Sequence, residues 1–212
     1  MTVKRFLFQR ILKEGIEEGF KPGKTEQSRE WFREQAGKLK DVRPERLARR
    51  PGAMRNQVAK LWRPGEMYLF RYEPKGRETL KYYDRYPLIM LVDTYEDGFI
   101  GLNFHYLPPE FRALLLNRMY RYLNNTEFNE QTRLLLTYDK IKRLAGRPYY
   151  KPCVKRYINN RVIGRFIKIH PAEWDMVLML PLDRFMKRRR NTVWQDSRKI
   201  YQGPRAGQRD GI

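Results

Sequence analysis

Between Met67 and Tyr106 the chain holds dense runs of strand-forming residues divided by turn signals, and this stretch limits the fold more than any other feature. Met67-Tyr68-Leu69-Phe70-Arg71-Tyr72 is followed by the turn residues Pro74-Lys75-Gly76. Pro87–Thr94 reads as a buried strand, and Glu96-Asp97-Gly98 turns the chain into its hairpin partner, Phe99–Tyr106. Later, Arg165–His170 alternates, with isoleucines at 167 and 169, and reads as a returning strand. Helices lie between. Pro108-Pro109 opens one over 110–123, with Phe111, Leu115, Met119 and Tyr122 on one face, and a second stretch over 127–145 ends at Gly146. Pro171 starts another through Trp174 and Val177, and Leu182–Lys187 adds a short turn. Strands separated by a long helical insertion predict an α+β core over residues 64–186: a small, strongly curved sheet, an SH3-like barrel in its closed form, with helices inserted around it.

Both flanks of that core read as basic arms. Val3, Phe6, Leu7, Ile11 and Phe20 fall at roughly helical spacing, Lys21-Pro22-Gly23 breaks the pattern, and Thr25 caps a second helix over 26–39. Residues 41–63 are rich in Pro and Arg and leave room for two short helices at most. Neither longer helix has a wide apolar stripe, so both need a partner surface. Residues 187–212 read as an extended basic tail, with little apolar content beyond Val193, Trp194, Ile200 and Tyr201. The expected division is a helical N-terminal arm over 1–63, the core over 64–186 and the tail over 187–212.

Charge says more about partners than about fold. Forty-five Lys and Arg against 24 Asp and Glu leave +21, and a folded chain this basic meets a polyanion or an assembly that neutralises it. Residues 1–63 carry 17 basic and 8 acidic side chains, and residues 187–212 carry 8 and 2, so the excess belongs to the arms. Within them, Lys187, Arg188, Arg189 and Arg190 are consecutive, and Arg43, Arg46, Arg49, Arg50 and Arg55 form a looser group. Such groups neutralise phosphates without reading bases, so double-stranded DNA and acidic protein surfaces are both candidate partners. Tyr82, Tyr83, Tyr149 and Tyr150 beside Arg85, Arg147 and Lys151 offer a weaker, stacking-type signal.

Other classes are excluded by what the chain lacks. No apolar run reaches the ~18–20 residues of a membrane helix, the longest, Met176–Leu182, being broken at Pro181. The first residues have no apolar region of the signal-peptide kind, so a soluble protein of a reducing compartment is expected. One cysteine, Cys153, and two histidines, His105 and His170, argue against a disulfide or a cysteine- or histidine-rich metal site. No phosphate-binding glycine loop is present, and no cofactor is expected. A metal-dependent nuclease would need carboxylates such as Asp84, Asp93 and Asp97 brought together, or His105 with an arginine, and their spacing matches no signature. Asp84 beside Arg85 reads better as a turn or ion pair, His105 as a hydrogen-bonded strand residue and Cys153 as a small buried side chain.

Several of these segments carry a family resemblance. Gly65-x-Met67-Tyr68-x-Phe70-x-Tyr72-x-Pro74-Lys75, Tyr82-Tyr83-Asp84-Arg85-x-Pro87-Leu88 and Gly98-Phe99-x-Gly101-Leu102-Asn103-x-His105-Tyr106-Leu107-Pro108-Pro109 follow in order. Lys151-Pro152-Cys153-Val154-Lys155-x-Tyr157, Glu173-Trp174, Leu180-Pro181 and Val193-Trp194-x-Asp196-Ser197-Arg198 complete the set. Over about residues 26–199 the chain resembles virion-associated proteins of T-even-type and related tailed phages, often labelled DNA end protector proteins. The resemblance implies a non-enzymatic virion component, made in the host cytoplasm, whose partners are other virion subunits and DNA termini. It supplies no catalytic residues. A neck, tail or baseplate subunit without a DNA role is the alternative it leaves open.

Overall fold

The computed structural model describes residues 7–48, 63–123 and 139–202. Its centre is a five-stranded antiparallel sheet in the order β5-β4-β3-β1-β6, built from β1 (Met67–Tyr72), β3 (Leu88–Thr94), β4 (Gly98–Asn103), β5 (Val154–Ile158) and β6 (Val162–Ile169). A separate pair joins β2 (Tyr83–Asp84) to β7 (Phe185–Met186). The expected strands are all present, and the hairpin partner ends one turn early, because Phe104–Tyr106 coils into a 3-10 turn capped by the Asn103 side chain. The fold is α+β, and the sheet is a strongly curled half-barrel with helices inserted around it.

Alternation along the strands explains why both sheet faces are buried. Tyr68, Phe70, Tyr72, Ile89, Leu91, Phe99, Tyr157 and Phe166 point to one side and form an aromatic cluster of their own. Phe70 stacks on Phe166 at 4.7 Å and Phe99 on Tyr157 at 5.3 Å, so residues of both edge strands, β5 and β6, meet over the same rings. That cluster draws the two edges towards one another and sets the curl. Met67, Leu69, Leu88, Met90, Leu102, Ile167 and Ile169 face the other way and pack with the helices. Gly98 permits the β4–β5 pairing to close: a Cβ there would lie 2.0 Å from the Tyr157 carbonyl oxygen.

Around this sheet lie α1 (Leu7–Glu17), α2 (Glu26–Gly37), α3 (Pro44–Ala48), α4 (Pro109–Leu123), α5 (139–145), α6 (Trp174–Met179) and α7 (Arg190–Gln202). Thr25 caps α2 as expected, its hydroxyl accepting from Ser28 N at 3.1 Å. The surface that α1 and α2 need is this chain's own. Ile11, Phe32 and Ala36 are buried in the main core, and α2 lies on α6, where Arg33 meets the Asp175 carboxylate at 2.6 Å. Crossing of α1 over α2 depends on Gly15, since a Cβ there would sit 2.6 Å from the rings of Trp31 and Phe32.

The C-terminal arm differs most from expectation. Residues 190–202 form a helix instead of an extended tail, and α7 packs against the 3-10 turns Phe104–Tyr106 and Pro148–Cys153. The reason is visible in the seam: Val193 and Ser197, four residues apart on one helix face, are both fully buried. No described helix is long and apolar enough to cross a membrane.

Candidate nucleic-acid interface

The docking of α7 rests on one indole and one buried guanidinium. Trp194 Nε1 donates to the His105 carbonyl at 2.8 Å, and its half-buried ring lies between Arg112 and Arg190, at 5.4 and 5.6 Å. Arg112 is fully buried and donates to the carbonyls of Leu107 at 2.7 Å, Leu178 at 3.0 Å and His105 at 3.4 Å. Burial pushes the Arg112 guanidinium down to about 10, against the pull of Asp183 at 3.8 Å, so it remains charged at neutral pH. Lys81 to Asp196 at 2.6 Å and Arg198 to Glu110 at 2.8 Å tie the outer face of α7 to the body. Trp194→Ala is expected to lower stability by roughly 2–3 kcal/mol, less than for a fully buried tryptophan. Thermal unfolding checks it, and a loss under about 0.5 kcal/mol, the scatter of ordinary surface changes, would remove Trp194 from this role.

This docking fixes where the basic run begins. Lys187 has a left-handed backbone (φ 69°), and its ammonium donates to the carbonyls of Glu78 at 2.6 Å and Leu80 at 3.0 Å. Arg188 and Arg189 follow, exposed and without an ion pair among the described residues, directly before the first turn of α7. Arg190 lies 4.0 Å from Asp183. Cations at a helix N-terminus add to the positive end of the helix dipole, so the local potential favours an anion.

Part of the other predicted group lies near. Arg43 is exposed and precedes α3, which carries Arg46, while Arg49, Arg50 and Arg55 lie outside the described residues. Leu47 is buried, and Arg184 donates to the Val42 carbonyl at 3.1 Å. Burial raises the Glu45 carboxyl, but a hydrogen bond from Tyr86 and the charges of Arg184 and Arg85 outweigh it and hold Glu45 below its ordinary range. Residue 184 is four residues from Arg188, at most about 14 Å of extended chain, so Arg184 ties the segment before α3 to the one that leads into α7.

The residues weighed for catalysis are built into the interior. Asp84 accepts from His105 Nδ1 at 2.7 Å, Asn103 Nδ2 at 3.1 Å, Tyr86 N at 3.1 Å and Arg184 N at 3.4 Å. Burial alone would raise its carboxyl, yet the His105 charge and these donors hold it below the ordinary range. With side-chain exposures of 1% and 0%, Asp84 and His105 are sealed from any substrate in this conformation. Asp93 pairs with Lys142 at 3.3 Å and Asp97 with Arg156 at 2.8 Å. Among the described residues no group of three His, Cys, Asp or Glu side chains is placed to hold a metal. Cys153 is buried, its thiol pushed up to about 12 by burial and donating to the Tyr150 carbonyl.

Two of the four tyrosines offered for stacking are structural. Tyr150 is buried with its hydroxyl on Arg118, and Tyr82 packs on Tyr106 and Phe185. Sequence reasoning missed Arg112 and the partnership of Trp194 with the body. The i, i+4 pair Val193 and Ser197 marks one face of a helix, but nothing local names the surface that face meets.

Neither the curated proteins nor the solved structures contain a match to this chain. A family model does match, over residues 7–202, from the start of α1 to the end of α7, and it describes the phage T4 terminal DNA protecting protein. Because that match takes in the half-barrel, both N-terminal helices and the docked basic helix together, the chain belongs to the phage T4 terminal DNA protecting protein family.

Proposed function

We propose that this protein is a non-enzymatic component of the phage particle that holds the ends of packaged duplex DNA through its basic groups. Those groups are Lys187, Arg188, Arg189 and Arg190 at the start of α7, with Arg43, Arg46, Arg49, Arg50 and Arg55 at and beyond α3. The observation carrying the reading is the pair Arg188 and Arg189: two exposed guanidiniums at the positive end of a docked helix, without an ion pair among the described residues. An anion of high charge density relieves that repulsion, and duplex DNA carries one charge per ~1.7 Å of axis. Shielding an end needs phosphate contacts and steric cover, with no base readout and no bond broken. Neighbouring virion subunits are the second class of partner, in contact with the remaining arm surface.

Protection of linear DNA tests the proposal. With stoichiometric protein at low salt, a processive exonuclease that enters at duplex ends should be blocked, while an endonuclease acting on closed circles should be unaffected. Unprotected ends at every protein concentration would overturn the DNA role and favour a neck, tail or baseplate subunit that contacts protein alone.

A further inference from the structure

A second set of cations, marked by no charge run in the sequence, gathers where β1, β2 and β7 meet. Arg71 is on β1, Arg85 follows β2, and Arg184 precedes β7. Tyr72 N donates to the Arg85 carbonyl at 2.9 Å, and Arg85 N to the Arg184 carbonyl at 2.9 Å, so these segments lie side by side at about the 5 Å spacing of neighbouring strands. Arg77 joins from the turn after β1. Glu73 serves three of them, at 2.9 Å from Arg71, 3.3 Å from Arg77 and 3.8 Å from Arg85.

The hydrogen bonds of this set do not close within the chain. Arg184 donates from its guanidinium to the carbonyls of Pro181, Asp183 and Val42, three neutral acceptors for five N–H groups, and its charge has no bonded carboxylate among the described residues. The Nε atoms of Arg71 and Arg85 are buried with no acceptor among the described residues, although both side chains remain more than a third exposed. Buried donors without acceptors are rare in folded proteins, and a bound ion or water is one way of satisfying them. Beside them opens a notch of about 300 Å³ lined by Glu73, Lys75, Arg77, Glu78 and Arg161. Lys75 and Arg161 are exposed there and form no ion pair among the described residues.

We infer that this arginine row and the adjoining notch bind phosphate groups of duplex DNA, forming a second anchoring surface beside the start of α7. The inference rests on the proposed DNA role and adds the surface that carries part of it. Arginine suits the task because its fork meets two phosphate oxygens at once and its charge never titrates near neutral pH. Glu73 and Glu78 keep the cations ordered when DNA is absent.

Binding of the full-length chain to short fluorescent duplexes at about 50 mM salt and above tests it. The variants are Lys75→Gln with Arg161→Gln, Arg85→Gln, and Arg188→Gln with Arg189→Gln. The first pair forms no side-chain hydrogen bond or ion pair among the described residues, so its thermal unfolding should match the parent even if Arg85→Gln is destabilised. Lys75→Gln/Arg161→Gln and Arg85→Gln are each expected to weaken binding about tenfold, and the salt slope should fall by about one per lost contact. Duplexes with 5′-phosphate, with 5′-hydroxyl and in closed circles separate the sources. A defect confined to 5′-phosphorylated ends makes the terminal phosphate the occupant, and an equal defect on all three makes it the backbone. Parental affinity and slope in Lys75→Gln/Arg161→Gln, with weakened binding in Arg188→Gln/Arg189→Gln, overturns the second surface and leaves the DNA role standing. If the parent protein binds no duplex at low salt, the DNA role fails and this surface with it.

Discussion

Asp84→Ala should destabilise the protein by about 3–5 kcal/mol, the range for removing one partner of a buried charged pair. Asp84 does more than pair with His105, because the same carboxylate receives Asn103 and the backbone N–H groups of Tyr86 and Arg184. It therefore joins β2, the end of β4 and the approach to β7 at one point. Removing it leaves the His105 ring nitrogen buried without its partner and the Asn103 amide with only the Tyr157 hydroxyl to receive it, each adding a desolvation penalty. Urea unfolding measures the effect, and a loss below about 1 kcal/mol would show that the pair is replaceable. The pH dependence has a definite sign. The folded carboxyl is depressed, so the unfolded chain binds the proton first as pH falls. Its contribution is complete above the unfolded value, near ~3.9, and disappears as pH falls through the folded one. Asp84→Asn should flatten that acid limb.

The second large effect concerns salt. Affinity for duplex ends should fall about a thousandfold or more between roughly 50 and 200 mM, the loss expected of a protein that displaces counterions from six or more phosphates. With an excess of +21, a fall of this size is the natural consequence of backbone binding. Arg188→Glu with Arg189→Glu should weaken binding further and reduce the slope, while unfolding stays near the parent because both side chains are exposed. Less than a tenfold fall across that range would mean that few phosphates are touched, and charge would then belong to protein contacts.

Where a single period governs a segment, the sequence was readable. The strand runs at Met67–Tyr72 and Pro87–Thr94, the Thr25 cap and the Pro109 helix start all follow local rules, and each has its counterpart in the structure. The curl of the sheet was legible in outline from short strands separated by a long helical insertion, whereas the aromatic cluster that spans the sheet became visible only in the structure. The course of residues 190–202 was not. Their helix depends on burying Val193 and Ser197 against a surface made by residues 104–106 and 148–153, and no local pattern discloses a surface so far away in sequence. The Arg71, Arg85 and Arg184 row escaped for the same reason: the three residues come from different strands and become neighbours through the backbone bonds of Tyr72 and Arg85.

The position of β6 in the sheet also sets the order in which the molecule is completed. Strand β1 is made early, yet its β6 partner, pairing Met67 with Ile169, arrives about a hundred residues later, and α7 arrives after that. A nascent chain therefore carries β1 with one side unpaired while about ninety further residues are made, and the late closure makes folding slow relative to a helical protein of similar size. It also means that the ordered start of α7 comes into being only after the strand that closes the sheet has been made. A fragment that stops short of α7 carries most of the charge without this arrangement, and the proposed grip on DNA ends would then have to wait until α7 has docked.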